Sequence, residues 1–256
     1  MFILELRRNK YDLAIDASDG SHFSLNGSIL TRFSGARYRL GYARENSASF
    51  LNVIIPAPPP DTPIASALRD VLKPMMPGLR EYPTVFYLND EDRMFANDWL
   101  HERDISEYDS FFVFHPGGKG KKRWGAENFA TLINRIAGVT GARIVVAGAE
   151  EERETIEIMK SRTRIGFDVL ESVTVSQMAA IIERCDLFVS GDTGPMHVAV
   201  ALGRPVAAIF LTSNHLIYGP RTKNSRIVNG VDGKVAVDDV VNAIWDLLSI
   251  EPDSGT

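Results

Sequence analysis

The sequence predicts an α/β protein whose second half forms a doubly wound parallel sheet, and three observations support this fold class. From Phe111 onward, short apolar runs alternate with stretches in which apolar residues recur at i, i+3, i+4 and i+7. Strands that alternate with helices of this length form parallel sheets with right-handed crossovers. The 256 residues are 45% hydrophobic and 24% charged, which excludes disordered, collagen-like and coiled-coil chains.

Four apolar runs in the second half predict strands that are buried on both faces. They are Phe111–Phe114, Arg143–Ala147, Leu187–Ser190 and Val206–Phe210. Two amphipathic helices are predicted between them. Their apolar faces are lined by Phe129, Leu132, Ile133 and Ile136, and by Val175, Met178, Ala179 and Ile182. A last helix is predicted over Val240–Leu248.

The first half predicts shorter elements around a proline-rich run. Strands are expected at Tyr11–Asp16 and Arg37–Tyr42. Helices are expected at about 21–33, at Ile64–Leu72 and at Asp90–Arg103. The run from Pro56 to Pro63 lacks amide donors and has fixed φ angles, so it excludes helix and central strand. We interpret it as a stiff connector.

Charge and cysteine content limit the classes of partner. The chain has 28 Lys and Arg against 33 Asp and Glu, and its one tight basic cluster is 119–123, so no nucleic-acid partner is expected. The single cysteine, Cys185, can form neither an internal disulfide nor a thiolate metal site. No run approaches the roughly 20 apolar residues of a spanning helix. We therefore expect a cytoplasmic chain without a bound metal.

The loop after the strand Phe111–Phe114 has the composition of an anion-binding loop. It reads HPGGKGKKRW over 115–124. Its glycines let backbone amides approach a ligand, and its four cations favour an anion such as a diphosphate. The spacing differs from that of a Walker A loop, and no Ser or Thr follows the lysines. Taken alone, the loop fits a solvated basic turn equally well.

The loop after Leu187–Ser190 opens a helix and reads GDTGPMH over 191–197. Free amides and the positive end of the dipole make a helix start an anion site. Asp192 or Thr193 can cap this helix, and His197 in its first turn can donate a hydrogen bond to a phosphate. A simple cap with a core histidine is the alternative.

A third loop, GAEEER at 148–153, follows the strand Arg143–Ala147. Acidic residues at this place in nucleotide-binding sheets often accept hydrogen bonds from ribose hydroxyls. Acidic residues in a first helical turn are also expected from the helix dipole alone. The loop therefore supports a nucleotide site only in combination with the other two.

Together, these motifs resemble glycosyltransferase family 9, the ADP-heptose:lipopolysaccharide heptosyltransferases. The most specific segment is DTGPMH at 192–197 with its ALGRP tail at 201–205. The resemblance covers about 111–220 and is weaker at 7–45. It implies a GT-B architecture with two Rossmann-like domains. Residues 1–105 would form an incomplete acceptor-side domain, and residues 106–256 would bind the nucleotide sugar, with the last helix a candidate to pack back on the first domain.

The resemblance also implies which residues bind the nucleotide sugar. They are Gly117, Gly118, Lys122, Glu150, Glu152, Val173, Thr174, Asp192, Thr193, Gly194 and His197. The two glycines and Lys122 would contact the diphosphate. Four residues of the segment 192–197 would contact the phosphates as well: Asp192, Thr193, Gly194 and His197. One glutamate of 150–152 would take the ribose: the loop end favours Glu150, and the spacing after Gly148 favours Glu152. Backbone groups of Val173 and Thr174 would contact the adenine.

The implied activity is transfer of a heptose or a related sugar from an ADP-sugar to a lipopolysaccharide-core or other glycan acceptor. Inversion is expected, with no metal or other cofactor required. A lipid-linked acceptor would bring peripheral contact with the inner face of the bacterial inner membrane. A nicotinamide-dependent dehydrogenase is disfavoured, because the chain has no G-x-G-x-x-G run.

The catalytic base is the point at which the chain departs from the family. Family members begin with a strand and an R-x-x-x-x-G-D loop whose aspartate is thought to be the general base, and we expect this N-terminal segment to be absent. Asp16, Asp19 and His22 are the candidate substitutes. A strand-end aspartate more often forms a turn. The alternative function is therefore a truncated, catalytically inactive relative that only binds the nucleotide.

Overall fold

The computed structural model describes residues 2–18, 24–230 and 232–248. The chain divides into two compact units, Met1–Tyr82 and Pro83–Thr256. The predicted boundary between residues 105 and 106 lies further along the chain. Helix α4, Asp90–His101, consequently belongs to the second unit, where it packs against α7, Val175–Ile182.

The first unit contains a three-stranded parallel sheet with the order β1-β2-β3. The strands are β1 Leu13–Asp16, β2 Tyr38–Tyr42 and β3 Val53–Ile55. The helices are α1 Phe2–Arg8, α2 Leu25–Phe33 and α3 Ile64–Asp70. The sequence pattern does not predict α1 or β3, which have seven and three residues and show no clear periodicity.

A small core holds α3 on this sheet. Leu40, Tyr42, Ala67 and Val71 are buried together, and the Tyr42 hydroxyl donates to the Ala67 carbonyl at 2.5 Å. The proline run 56–63 forms neither helix nor strand, as expected. It joins β3 to α3 within one unit and does not separate two domains.

The second unit contains a six-stranded parallel sheet with the order β6-β5-β4-β7-β8-β9. The strands are β4 Phe111–His115, β5 Arg143–Ala147, β6 Asp168–Leu170, β7 Leu187–Gly191, β8 Val206–Phe210 and β9 Ser225–Asn229. The remaining helices are α5 Ala126–Thr140, α6 Arg153–Arg162, α8 Gly194–Ala201, α9 His215–Tyr218 and α10 Val237–Leu248. The four predicted strands are the four central ones. The edge strands β6 and β9 are only partly buried, so their sequences lack the continuous apolar run.

Helices cover both faces of this sheet. Alternate residues of each strand point to opposite faces. Phe112 and Phe114 pack against α5, α6 and α10, whereas Phe111 and Val113 pack against α4, α7 and α8. The α5 face is buried as predicted, but Val175 is 60% exposed because it is the first residue of α7. Helix α10 packs on α5, β8 and β9 within the second unit.

The strand order determines where a ligand can bind in the second unit. In this sheet the chain forms β4 first and adds β5 and β6 on one side of it. It then returns and places β7 on the other side of β4. The loops after β4 and β7 therefore start side by side at the carboxyl edge and lead to helices on opposite faces of the sheet, α5 and α8. In open α/β sheets, the crevice at such a reversal, outside the carboxyl ends of the strands, is where ligands bind.

No helix in the described parts of the chain combines the length and the apolar character needed to cross a membrane.

Candidate functional site

Two adjoining cavities lie at the carboxyl ends of β4 to β7. The β5–β6 cavity, of about 400 Å³, includes Gly148, Glu150, Val173, Thr174 and Met178 in its lining. The β4–β7 cavity, of about 500 Å³, includes Gly118, Lys122, Glu152, Asp192, Thr193 and Gly194. His115 and Pro195 line both cavities. Of the eleven residues predicted to bind a nucleotide sugar, nine line one of these cavities; Gly117 and His197 do not.

The loop after β4 folds back on itself as a tight turn. A Cβ atom on Gly117 would lie 2.4 Å from Nε2 of His115, so the backbone packs directly on the imidazole. Gly118 has a φ of +149°, and a Cβ there would lie 3.1 Å from the Lys122 carbonyl oxygen. A 3-10 turn at Gly120–Lys122 follows, and the Arg123 Nε donates to the Gly118 carbonyl at 2.6 Å. These contacts give Lys122 a defined position.

Trp124 anchors the end of that loop. Its indole Nε1 donates to the Val235 carbonyl at 2.9 Å, and its buried ring meets Phe129 edge-on with centroids 5.1 Å apart. A buried Trp needs a partner for its N–H, and this bond supplies it. The basic loop is therefore attached to the core at both ends, through His115 and through Trp124.

An ion pair joins the loops after β4 and β7. The Lys122 ammonium lies 2.7 Å from Oδ2 of Asp192. The Asp192 side chain is only 9% exposed, whereas that of Lys122 is 41% exposed. An ammonium has three donors, so the bond to Asp192 leaves donors of Lys122 for an anion in the cavity.

The start of α8 is open to the β4–β7 cavity. Thr193 is at the N-cap position, yet its hydroxyl lies 2.8 Å from the Ser190 hydroxyl and makes no cap hydrogen bond. Thr193 and Gly194 both line the cavity. Thr193 therefore does not form the side-chain cap that the sequence offered as an alternative. The first amides of a helix lack partners within the helix and carry the positive end of its dipole, so this helix start adds donors to the cavity wall.

His197 lies in the first turn of α8, on the same side of the unit as Lys122. Partial burial lowers the pKa of His197, and the nearby Asp192 carboxylate opposes that effect. Asp192 therefore lies close to both Lys122 and His197. His197 is only partly exposed and does not line either of the two cavities.

The three glutamates after β5 have different environments. Glu152 accepts a hydrogen bond from the Ala149 amide at 3.0 Å and thereby caps its own turn. Glu150 is 73% exposed, pairs with Arg153 at 2.6 Å and lines the β5–β6 cavity. Glu151 and Glu152 line the β4–β7 cavity.

The loop before α7 forms another wall of the β5–β6 cavity. Thr174 and Gln177 form a capping box: the Thr174 amide donates to Oε1 of Gln177 at 2.9 Å, and the Gln177 amide donates to the Thr174 hydroxyl at 3.1 Å. The Thr174 carbonyl accepts from the Met178 amide at 3.0 Å. Because the backbone of Thr174 is already engaged, Val173 is the better placed of the two for backbone contact with a ligand.

Sequence reasoning missed several lining residues. They are His115, Glu171, Ser172, Met178 and Pro195. Glu171 and Ser172 directly follow β6, a three-residue strand without a continuous apolar run, so the pattern predicts neither the strand nor a site at its end. His115 was detectable, because it is the first residue after a predicted buried strand.

The candidate bases belong to the first unit. The Asp16 carboxylate accepts hydrogen bonds from the Ser18 hydroxyl at 2.5 Å, the Ser18 amide at 3.1 Å and the Ser28 hydroxyl at 3.2 Å. These bonds tie the end of β1 to α2, which is the turn-forming role of a strand-end aspartate. Asp19 and His22 lie outside the described residues.

In the part of the chain that the structure describes, no group of three or more His, Cys, Asp or Glu side chains is arranged to hold a metal ion.

Comparison with known proteins identifies relatives of this chain. Lipopolysaccharide heptosyltransferase 1 of Salmonella typhimurium is 31% identical over 134 residues, which is 50% of this chain and 38% of the relative. Lipopolysaccharide core heptosyltransferase OpsX of Haemophilus influenzae is 25% identical over 146 residues, or 56% of this chain and 40% of the relative. The chain thus spans less than half the length of these curated relatives in the matched regions.

Solved structures share the fold. A glycosyl transferase family 9 protein from Veillonella parvula superposes with a TM-score of 0.82 at 21% identity, covering 96% of this chain and 77% of that one. The E. coli heptosyltransferase WaaC, solved with ADP, gives a TM-score of 0.70 at 21% identity, covering 96% and 76%. The predicted GT-B-like class, with Rossmann-like units and a doubly wound second sheet, is confirmed.

The sequence model described as glycosyltransferase family 9 (heptosyltransferase) matches residues 2–238, which is most of the chain. This match confirms the resemblance carried by the three loops. The chain belongs to glycosyltransferase family 9.

Proposed function

We propose that the second unit binds an ADP-sugar, with adenosine in the β5–β6 cavity and the diphosphate in the β4–β7 cavity. The observation that carries this proposal is the meeting of two unlike cavities at the strand-order reversal. The β5–β6 cavity has the apolar side chains of Leu170, Val173 and Met178 among its walls. The β4–β7 cavity combines three cationic residues with a helix start, and it also holds the acidic residues that pair with or adjoin them: the cations are Lys119, Lys122 and Arg123, and the acids are Glu151, Glu152 and Asp192. A nucleoside diphosphate has the matching polarity along its length.

The β5–β6 cavity offers groups that suit adenosine. Leu170, Val173 and Met178 supply apolar surface for the base. Val173 supplies the backbone contact. Glu150 takes the ribose hydroxyls, because it lines this cavity whereas Glu152 lines the other one.

The β4–β7 cavity suits the diphosphate. Lys122 donates to phosphate oxygens while Asp192 holds its ammonium in place. The amides at Thr193 and Gly194 add donors and the positive end of the α8 dipole. Gly117 and Gly118 keep the β4 loop thin enough for the ligand to approach, and His197 meets the outer phosphate or the sugar from the edge of the site.

The whole protein would transfer a heptose or a related sugar to a lipopolysaccharide-core acceptor with inversion. The acceptor hydroxyl attacks the anomeric carbon as the bond between that carbon and the diphosphate oxygen breaks. The hydroxyl proton passes to a base, and ADP leaves. Lys122 and the α8 amides stabilise the charge that develops on the diphosphate, so the scheme requires no metal.

The names of the relatives support this choice of donor and acceptor. They are lipopolysaccharide heptosyltransferases, and WaaC was solved with ADP and with ADP-2-deoxy-2-fluoro heptose. If the acceptor is linked to a lipid, sugar transfer to it would take place in the cytoplasm at the inner face of the inner membrane. Cell fractionation tests that location.

One observation favours the alternative, a relative that binds the nucleotide without transferring sugar. The Asp16 carboxylate is occupied by three hydrogen bonds, which argues against its use as the base. Calorimetric titration with ADP, and then with UDP and GDP, tests the binding site that both functions need. Release of ADP from the ADP-sugar on addition of acceptor distinguishes the enzyme from the binding protein. A flat ADP titration with folded protein contradicts both.

The Glu150→Gln substitution is expected to weaken ADP binding by roughly tenfold, because a ribose hydroxyl would lose a charged acceptor. Binding of an ADP analogue that lacks both ribose hydroxyls should change little in this variant. The matched control is Glu152→Gln, whose amide oxygen can still accept from the Ala149 amide. Calorimetry on the three proteins checks this, and a larger loss in Glu152→Gln would reassign the ribose contact.

A further inference from the structure

His115 lies at the junction of the two cavities. It is the last residue of β4, its side chain is buried, and it lines both the β5–β6 and the β4–β7 cavity. Its strand neighbours are β5 on one side and β7 on the other. None of the roles proposed above uses this side chain.

One hydrogen bond determines the state of the imidazole. Nδ1 lies 2.9 Å from the carbonyl oxygen of Ala147, the last residue of β5. A carbonyl oxygen only accepts, so Nδ1 carries the hydrogen and donates it. Burial lowers the pKa of His115, although the bond to Ala147 and the charge of Glu152 oppose this. The ring is therefore neutral near pH 7, with its hydrogen on Nδ1.

The same ring supports the loops that carry the ligand-binding groups. On the β4 side it packs on the Gly117 backbone, where a Cβ would lie 2.4 Å from Nε2 and 3.2 Å from Oε1 of Glu152. On the β5 side, Ala147 leads into Gly148, where a Cβ would lie 2.9 Å from the Glu152 Cβ. The imidazole thus connects the loop that bears Lys122 to the loop that bears Glu150.

We propose that His115 is a positioning residue for the nucleotide: its hydrogen bond to Ala147 sets the separation between the nucleoside and diphosphate cavities. This inference rests on the proposed function. A ligand that occupies both cavities binds more tightly when their separation is fixed, because it then contacts both ends of the site without deforming the loops. A ligand that occupies only one cavity gains nothing from it.

Two amide variants separate this role from general packing. In His115→Asn, the side-chain amide nitrogen falls near the position of Nδ1 and can still donate to the Ala147 carbonyl. In His115→Gln, the same amide is one methylene further out and loses that bond. We expect His115→Gln to bind ADP about tenfold more weakly than wild type, while adenosine binds within about twofold. His115→Asn should restore most of the ADP affinity.

The experiment is calorimetry of wild type, His115→Asn and His115→Gln with ADP and with adenosine. Equal ADP affinity in all three proteins overturns the proposal, as does an equal loss for ADP and adenosine, which would indicate a merely structural role. If His115→Gln does not fold, His115→Leu, which matches asparagine in shape and has no donor, replaces it. Failure of the wild type itself to bind ADP refutes the proposed function instead.

Discussion

The Lys122→Ala variant is expected to bind ADP roughly 10- to 100-fold more weakly than wild type, because charge-assisted hydrogen bonds to phosphate contribute about 1.5–3 kcal/mol. The substitution also has an indirect effect. Lys122 is the ion-pair partner of Asp192, whose side chain is 9% exposed. Without the ammonium, a nearly buried carboxylate would face the incoming diphosphate unpaired, and the repulsion adds to the loss.

Lys121→Ala is the matched control for that variant. Lys121 carries the same charge in the adjacent position, is exposed, and lines neither of the two cavities. Its removal is expected to change ADP affinity by less than about threefold at physiological ionic strength, where exposed charges are screened. Isothermal titration of both variants checks this. An equal loss in the two would mean that only the overall charge of the loop matters.

The Gly117→Ala variant is expected to lose measurable ADP binding and about 1–3 kcal/mol in the free energy of unfolding, the usual cost of forcing a methyl group into a packed site. The new Cβ would lie 2.4 Å from Nε2 and 2.8 Å from Cε1 of His115. The ring cannot move away easily, because it is buried and bonded to Ala147. The β4 loop must shift instead, and Lys122 shifts with it.

Gly138→Ala supplies the control for adding a methyl group. Gly138 lies in α5, is exposed, and has no other atom within 4 Å of a Cβ position. Alanine there should raise the free energy of unfolding by up to about 1 kcal/mol, since glycine is the poorer helix former. Urea unfolding and ADP titration of both variants test the pair. Unchanged ADP affinity in Gly117→Ala would show that the close packing on His115 is irrelevant to the site.

Element type in the second unit follows from local patterns. Phe111–His115 and Leu187–Gly191 are wholly buried, so their apolar runs are continuous and mark them as central strands. The edge strands β6 and β9 are partly buried and share no such run. The boundary at 105/106, which the family resemblance implied, places α4 in the first domain, whereas α4 packs against α7 in the second unit. The periodicity of a helix carries no information about which helices pack together.

The amino-acid sequence by itself determined the class of the second sheet and the three loops that carry the candidate site. It did so because period, glycine content and charge are local properties. Only the tertiary structure decided that β4 and β7 are neighbours, which brings Lys122 within 2.7 Å of Asp192 across 70 residues of chain. It also decided that Glu150 faces one cavity and Glu152 caps its own turn. Strand order and side-chain partners depend on long-range packing, and no short stretch of sequence encodes that packing.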